Sequence, residues 1–290
     1  MFRLRAATAR SAPSRQTLSR DEVKFFFENG YLVLRNLISD AEVDAVLDAV
    51  ERAWADKSIY NNLTVSAYTG TERYAETYVR NVDPIARRER CKLNHLYLYD
   101  PRVMNLLLSD KIQDRLATLL DGAPLLFNAL NMDIGTEQRL HFDTFYMAPR
   151  TPEKMVVTWI ALEDIHPDSG PLTYYPKSHL IPPYRFSHGE LWALDAEMPA
   201  FDAYIDRELA ARGLQPAHFC PRKGDMFIWH AQLYHGGSPI ADKQRSRRSM
   251  VSHFWRAQDY PADWSYQALP GRYVLKTDRM FVATNFSPVG

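Results

Sequence analysis

The chain has 290 residues, with lysine and arginine together numbering 35 against 35 aspartates and glutamates. A net charge of zero gives no overall field toward nucleic acid or an anionic membrane, and the longest apolar runs, such as Met155–Leu162, are too short to span a bilayer. Cys91 and Cys220 are the only cysteines; two isolated thiols form neither a disulfide framework nor a zinc site, which favours a reducing compartment, the cytoplasm. Residues 1–18 read as a basic, disordered tail, with Arg3, Arg5, Arg10 and Arg15 among small residues and no acid before Asp21. Import into an organelle is the competing reading of that composition. The last four residues, Ser-Pro-Val-Gly, are not a peroxisomal address.

Residues 19–290 read as a single domain. Ser19-Arg20-Asp21-Glu22 has capping-box form and opens a helix that Gly30 stops. A short strand follows over Tyr31–Leu37. Ser39-Asp40-Ala41-Glu42 repeats the cap and opens an amphipathic helix to about residue 57, with Val43, Val46, Leu47, Val50 and Trp54 on one face. Residues 58–90 show no period and read as a long loop region. A strand over Lys92–Tyr99 and a helix over Pro101–Leu120 come next. From Pro124 the texture changes to short runs of Val, Phe, Tyr and Trp between Pro and Gly. Candidate strands are 124–132, 138–144, 154–163, 171–175, 225–230 and 246–255. The fold class is mainly β with flanking helices, its core an antiparallel sandwich or barrel over about 124–256. A lid-like insert with a helical piece at Phe201–Arg212 interrupts the strands over about 182–218.

One constellation carries chemistry. His141-Phe142-Asp143, read as strand, puts the histidine and the aspartate on one face and Phe142 on the other. His235-Gly236, beyond the turn Lys223-Gly224-Asp225 and an apolar strand, supplies a third ligand. Two imidazoles and a carboxylate form the facial triad of non-haem Fe(II) oxygenases, which leaves positions open for a co-substrate and dioxygen. His230 competes with His235, but it follows directly on an apolar strand, whereas His235 has the adjoining glycine and a downstream arginine. Arg247, at the entrance of the last strand and read as lying on the same sheet as His235, is suited to clamp a carboxylate by paired hydrogen bonds. Strand alternation separates it from Arg248. His179 is read as ordering a turn. His253 shares the strand face of Arg247 and either lines the pocket or belongs to the core.

The segment Thr158-Trp159-Ile160-Ala161-Leu162-Glu163-Asp164, then Ser169-Gly170-Pro171-Leu172, then Pro176-Lys177-Ser178-His179, and finally Lys223-Gly224-Asp225 leading to His235-Gly236, resembles the phytanoyl-CoA dioxygenase family. The likeness runs from about 124 to 256 and more weakly over Asp21–Ala55. It implies a double-stranded β-helix, or jelly roll, that uses Fe(II) with 2-oxoglutarate and O2. It also implies that His141, Asp143 and His235 bind the iron and act in catalysis, that Arg247 pairs with the far carboxylate of 2-oxoglutarate, and that Trp159 and Asn128 lie beside the co-substrate. Two residues depart from the family pattern: Gly237 stands where many relatives carry serine, with Ser238 after it, and Phe142 stands where glutamine is common.

The expected reaction is hydroxylation of an aliphatic C–H bond in a small-molecule metabolite, with release of succinate and carbon dioxide. Asp143 argues against halogenation, which requires a small residue there. Thr144, Phe145, Tyr146 and His253 are candidate substrate contacts; Lys92, Asn94, Tyr97, Arg150 and Arg185 are candidate partners for a polar or anionic substrate. A monomer or homodimer without nucleic-acid partners is expected. The competing classes are a non-catalytic jelly-roll metal-binding or sensor protein and a cupin-type isomerase or hydrolase.

Overall fold

The computed structural model of the protein describes residues 17–68 and 74–278. The N-terminal half supplies helices α1 (Arg20–Asn29), α2 (Asp40–Ala55), α3 (Pro101–Leu107) and α4 (Asp110–Leu120), with strands β1 (Tyr31–Leu34), β2 (Thr64–Tyr68), β3 (Tyr74–Tyr78) and β4 (Cys91–Asn94). The second half supplies β5 (Pro124–Met132), the short α5 (Thr144–Met147), β6 (Met155–Ala161), β7 (Leu172–Tyr174), α6 (Met198–Arg212), β8 (Ala217–Phe219), β9 (Met226–His230), β10 (His235–Gly237), β11 (Ser249–Arg256), β12 (Ser265–Leu269) and β13 (Arg272–Leu275). Both capping boxes form: the Ser19 and Ser39 backbone N–H groups donate to Glu22 and Glu42 at 2.7 and 2.9 Å. Gly30 ends α1 in the left-handed region, at φ 82°.

Two sheets face each other. Among the described residues the larger has ten strands in the order β1-β9-β6-β11-β5-β4-β2-β3, with β13 pairing with β5 and β12 with β13; the smaller has the order β10-β7-β8. The larger sheet is covered on both faces, so all seven residues of β6 are buried, and alternation along each strand decides which layer a side chain enters. Val156, Ile160, Met226, Ile228, Met250 and Phe254 pack against the helices. Met155, Val157, Trp159, Phe227, Trp229 and Trp255 face the smaller sheet. A third cluster joins Phe142 and Phe145 to Phe186, Phe201, Ile205 and Leu209 of the insert. Burying side chains of this kind stabilises by roughly 1.5–3 kcal/mol each, so the insert is held by its own apolar contacts.

Several sequence expectations are corrected. Residues 58–90 are not one loop: they contain the hairpin β2–β3, which extends the larger sheet through β4. The strand expected over 92–99 ends at Asn94 and gives way to a 3-10 turn at Leu96–Leu98. The helix expected over 101–120 is two helices, because Ser109 takes an extended conformation as the N-cap of α4. No strand spans 138–144; His141 makes one isolated bridge with His235, and Asp143 adopts helical angles at the start of α5. Leu18, placed in the tail from the sequence, is buried among the helix-side core residues. The remainder of that tail, residues 1–16, and the C-terminal Ser-Pro-Val-Gly lie outside the described residues.

Candidate active site

A cavity of about 930 Å³ lies between the two sheets. The larger sheet lines it with Leu130 and Met132 from β5, Trp159 from β6, Trp229 from β9, and Val251 and His253 from β11; the smaller sheet contributes Leu172 and the His235-Gly236-Gly237 strand. His141 and His235 are brought together by reciprocal backbone bonds, His141 N to His235 O at 2.8 Å and His235 N to His141 O at 3.0 Å. Glycine is required for that approach. A Cβ on Gly236 would sit 2.7 Å from the Gln138 carbonyl oxygen, and one on Gly237 would sit 2.8 Å from the Glu137 backbone nitrogen. The serine common at the second position in relatives has no room here. Ser238 instead turns to Thr173 at 2.6 Å, outside the cavity lining.

The two imidazoles are oriented alike. His141 Nδ1–H donates to Arg139 O at 2.7 Å and His235 Nδ1–H to Leu233 O at 2.8 Å. A carbonyl can only accept, so each bond fixes the proton on Nδ1 and turns the Nε2 lone pair into the cavity. Asp143 Oδ1 lies 3.8 Å from His141 Nε2 and 3.7 Å from His235 Nε2. One donor atom from each of the three lies within 4.8 Å of the others, and all three residues are buried. Burial and the neighbouring His235 push the His141 imidazole down to about 3, so it is neutral at neutral pH. Burial opposes ionisation of Asp143, yet His235, His253 and His141 outweigh it and hold the carboxyl below its ordinary range. The aspartate reaches the same side as His141 through a turn into α5, not through the strand alternation expected from the sequence.

Arg247 is buried in the cavity wall, its guanidinium carbon 5.8 Å from the centre of the Trp159 ring. It is not on the sheet of His235: it leads into β11 of the larger sheet, whereas His235 belongs to the smaller, and both line the cavity between the sheets. Arg248, one residue on, is partly exposed and 3.7 Å from Asp133. Lys92 also lines the cavity and donates to Gln138 at 2.8 Å; burial lowers its pKa to about 8, partly offset by Asp143. Asn128 is buried on β5 beside a register shift opposite His253, and is not among the lining residues.

Of the substrate candidates, Phe145, Tyr146 and His253 line the cavity, Tyr146 with 48% exposure. Thr144 is turned away and accepts from Gln232 at 2.8 Å. Asn94 donates to Ser66, Arg150 stacks on Trp264 and Arg185 donates to Gly189 O. Neither these nor the buried Tyr97 line the cavity. His230 points to the helix layer, and His179 pins the end of α1 by donating to Phe27 O at 2.9 Å. Lys223-Gly224-Asp225 is a structural turn: Gly224 is left-handed at φ 83°, and Asp225 accepts from Asn36 N at 2.8 Å and Arg222 N at 3.0 Å. One residue went unnoticed in the sequence: Trp229, whose Nε1–H donates to Asp143 Oδ2 at 2.7 Å. Its alternation with His230 on β9 was the available signal.

A two-histidine, one-carboxylate set opening into a cavity between the sheets of a jelly roll defines the class of non-haem, 2-oxoglutarate-dependent dioxygenases. The family model for phytanoyl-CoA dioxygenase (PhyH) matches residues 26–249. The chain belongs to that family. It is 25% identical over 255 residues to "Phytanoyl-CoA dioxygenase, peroxisomal" of Bos taurus, covering 82% of this chain and 68% of the relative. Against the Homo sapiens protein of the same description it is 24% identical over 265 residues, covering 85% and 71%. In fold it is similar to the non-heme alpha ketoglutarate dependent carbocyclase SnoK from nogalamycin biosynthesis (TM-score 0.61, 18% identity, 85% of this chain and 88% of that one). It is likewise similar to EctD from S. alaskensis with bound Fe (TM-score 0.59, 16% identity, 87% and 81%).

Proposed function

We propose that the protein hydroxylates an aliphatic C–H bond of a small-molecule metabolite, with His141, Asp143 and His235 holding Fe(II) and Arg247 holding 2-oxoglutarate. The observation that carries this reading is the convergence of two Nε2 lone pairs and one carboxylate oxygen on a single point of the cavity wall. The donor set suits Fe(II), which accepts imidazole nitrogen and carboxylate oxygen together. Iron with 2-oxoglutarate and dioxygen supplies the oxidising power, and co-substrate decarboxylation yields succinate and carbon dioxide.

The chain's own residues do the rest. The buried Arg247 and the half-buried Lys92 give the cavity two cations, an electrostatic match to the dianionic co-substrate. Arg247 presents a planar fork suited to a carboxylate, and the face of Trp159 lies beside it. Phe145 and Tyr146 extend from the Asp143 turn, so the substrate surface is continuous with a metal-binding residue. Ala193, Asp195 and Met198 bring the insert into the wall, where it excludes water and shapes the entrance. Both cysteines are free, which supports a reducing compartment such as the cytoplasm; no helix among the described residues is long and apolar enough to cross a membrane.

The test is turnover under 18O2 with a panel of acyl, amino-acid, terpenoid and sugar-derived metabolites. Hydroxylation requires a product that gains one labelled oxygen atom, with the other oxygen in succinate. A product of unchanged mass, or one lighter by two hydrogens, would replace hydroxylation with isomerisation or desaturation while leaving the dioxygenase class intact.

A further inference from the structure

Trp229 touches two of the three side chains that converge on the cavity. Its indole N–H donates to Asp143 Oδ2 at 2.7 Å, and its ring lies 5.0 Å from that of His235, centre to centre. The two oxygens of Asp143 therefore meet different surroundings. Oδ1 faces the Nε2 atoms of His141, His235 and His253 at 3.7–3.8 Å. Oδ2 is engaged by a donor that has one proton and cannot act as an acceptor. The donor is itself fixed: β9 pairs with β1 on one side and β6 on the other, and Trp229 is opposite Tyr31 and Val157. Both partners are buried, so water does not compete for the bond.

We propose that Trp229 is a positioning residue that makes Asp143 a one-oxygen ligand. The indole holds Oδ2 away from the metal point, so the carboxylate presents Oδ1 alone and takes one coordination position. Carboxylates bind metals through one oxygen or both, and an aspartate released from the indole is free to use both. The second oxygen then occupies a position that 2-oxoglutarate or dioxygen requires. Phenylalanine would fill much of the same apolar space without the donor, so the indole is there for its N–H as well as its bulk. The proposal rests on the metal-centre reading given above. Its signature is double: loss of the donor weakens metal binding, as loss of partners that orient ligands generally does by 10–100-fold, and it raises the coordination number of the metal that remains.

Co(II), whose visible bands report coordination number, is the probe. Trp229 is replaced site-specifically by β-(3-benzothienyl)alanine, which keeps the shape of the indole and puts sulfur in place of N–H; Trp229→Phe is made beside it. The full chain is titrated with Co(II) under argon, and thermal unfolding is recorded without metal. The isostere is expected to melt near the wild type, to bind Co(II) about 10–100-fold more weakly, and to show weaker bands of higher coordination number. If Trp229→Phe does not fold, the isostere alone decides. An isostere with wild-type affinity and wild-type bands would overturn the proposal and leave the metal centre standing. Wild-type protein that binds no Co(II) would overturn both.

Discussion

His230 and His235 are five residues apart and equally buried, yet one faces the helices and the other the cavity. His230 ends β9 on the side of Met226 and Ile228, its ring 5.4 Å from His179 and 6.4 Å from Phe26, and its Nδ1 accepts from Gln232 N at 3.1 Å. His235 spends its Nδ1–H on a carbonyl two residues back and sends Nε2 into the cavity toward Asp143. Residue type and burial do not separate them. What separates them is where the second ring nitrogen points: into a packed layer, or onto a point shared with two other donors. A buried histidine becomes a candidate ligand when its backbone bond fixes the outward nitrogen as the lone pair, and the cavity between the two sheets is where that happens here.

Deleting each histidine separates the two faces most strongly. His235→Ala is expected to abolish stoichiometric Fe(II) or Co(II) binding, a loss of more than about 100-fold, given that each of three ligands is required for the site. His230→Ala is expected to leave metal stoichiometry intact and to cost about 1–3 kcal/mol of stability, the usual range for disturbing a buried hydrogen-bonded side chain. Metal titration and thermal melts on both variants decide; equal metal loss would erase the distinction between the two faces.

The adjacent arginines differ in the same way. Arg247→Ala removes a buried guanidinium from the cavity and is expected to weaken 2-oxoglutarate binding by about 10–100-fold, in line with about 1.5–3 kcal/mol for a charge-assisted bond. Arg248→Ala, on the opposite side of the chain, is expected to stay within about twofold, as exposed ion pairs contribute little. Anaerobic calorimetry reads both, and a large effect at Arg248 would contradict the face assignment.

Gly237→Ser tests the close approach of the ligand-bearing segments. The Cβ would stand 2.8 Å from Glu137 N and 3.0 Å from Gln138 N, both backbone atoms, so the expected cost is about 1–3 kcal/mol, with weakened metal binding as His235 shifts. A serine variant of unchanged melting temperature and metal affinity would show that this strand has room to move.

The last effect concerns pH. Burial and the neighbouring His179 depress the His230 pKa to about 3, against an ordinary value of 6.5. Between those values the unfolded chain binds the extra proton and the folded chain does not, so stability falls as pH drops from 6.5 toward 3. His230→Gln is expected to flatten that part of the stability–pH curve, measured by urea unfolding at stepped pH. A curve of unchanged slope would locate the acid sensitivity elsewhere.

Much of this was legible in the chain because the physics there is local. Strands 124–132, 154–163, 171–175, 225–230 and 246–255 announce themselves by β-branched and aromatic runs between turn residues, and each overlaps an observed strand. The hairpin β2–β3 was illegible because its described residues bury little besides Val65, so pairing at a sheet edge left no apolar rhythm to read. The histidine and aspartate of the His-x-Asp step do come together, but by a turn into α5 that overrides strand alternation. Trp229 and Asp143 are 86 residues apart in sequence; their bond is a tertiary fact, and only the parity of Trp229 against His230 hinted at it.

Together, the three converging donors and Arg247 are expected to hold iron and its co-substrate. Anaerobic titration of the Fe(II)-loaded protein with 2-oxoglutarate tests this directly through the metal-to-ligand charge-transfer band of the complex. A saturable visible band is predicted for the wild type, absent in His235→Ala and displaced to higher co-substrate concentration in Arg247→Ala. A wild-type protein that takes up Fe(II) and shows no band at saturating 2-oxoglutarate would contradict it.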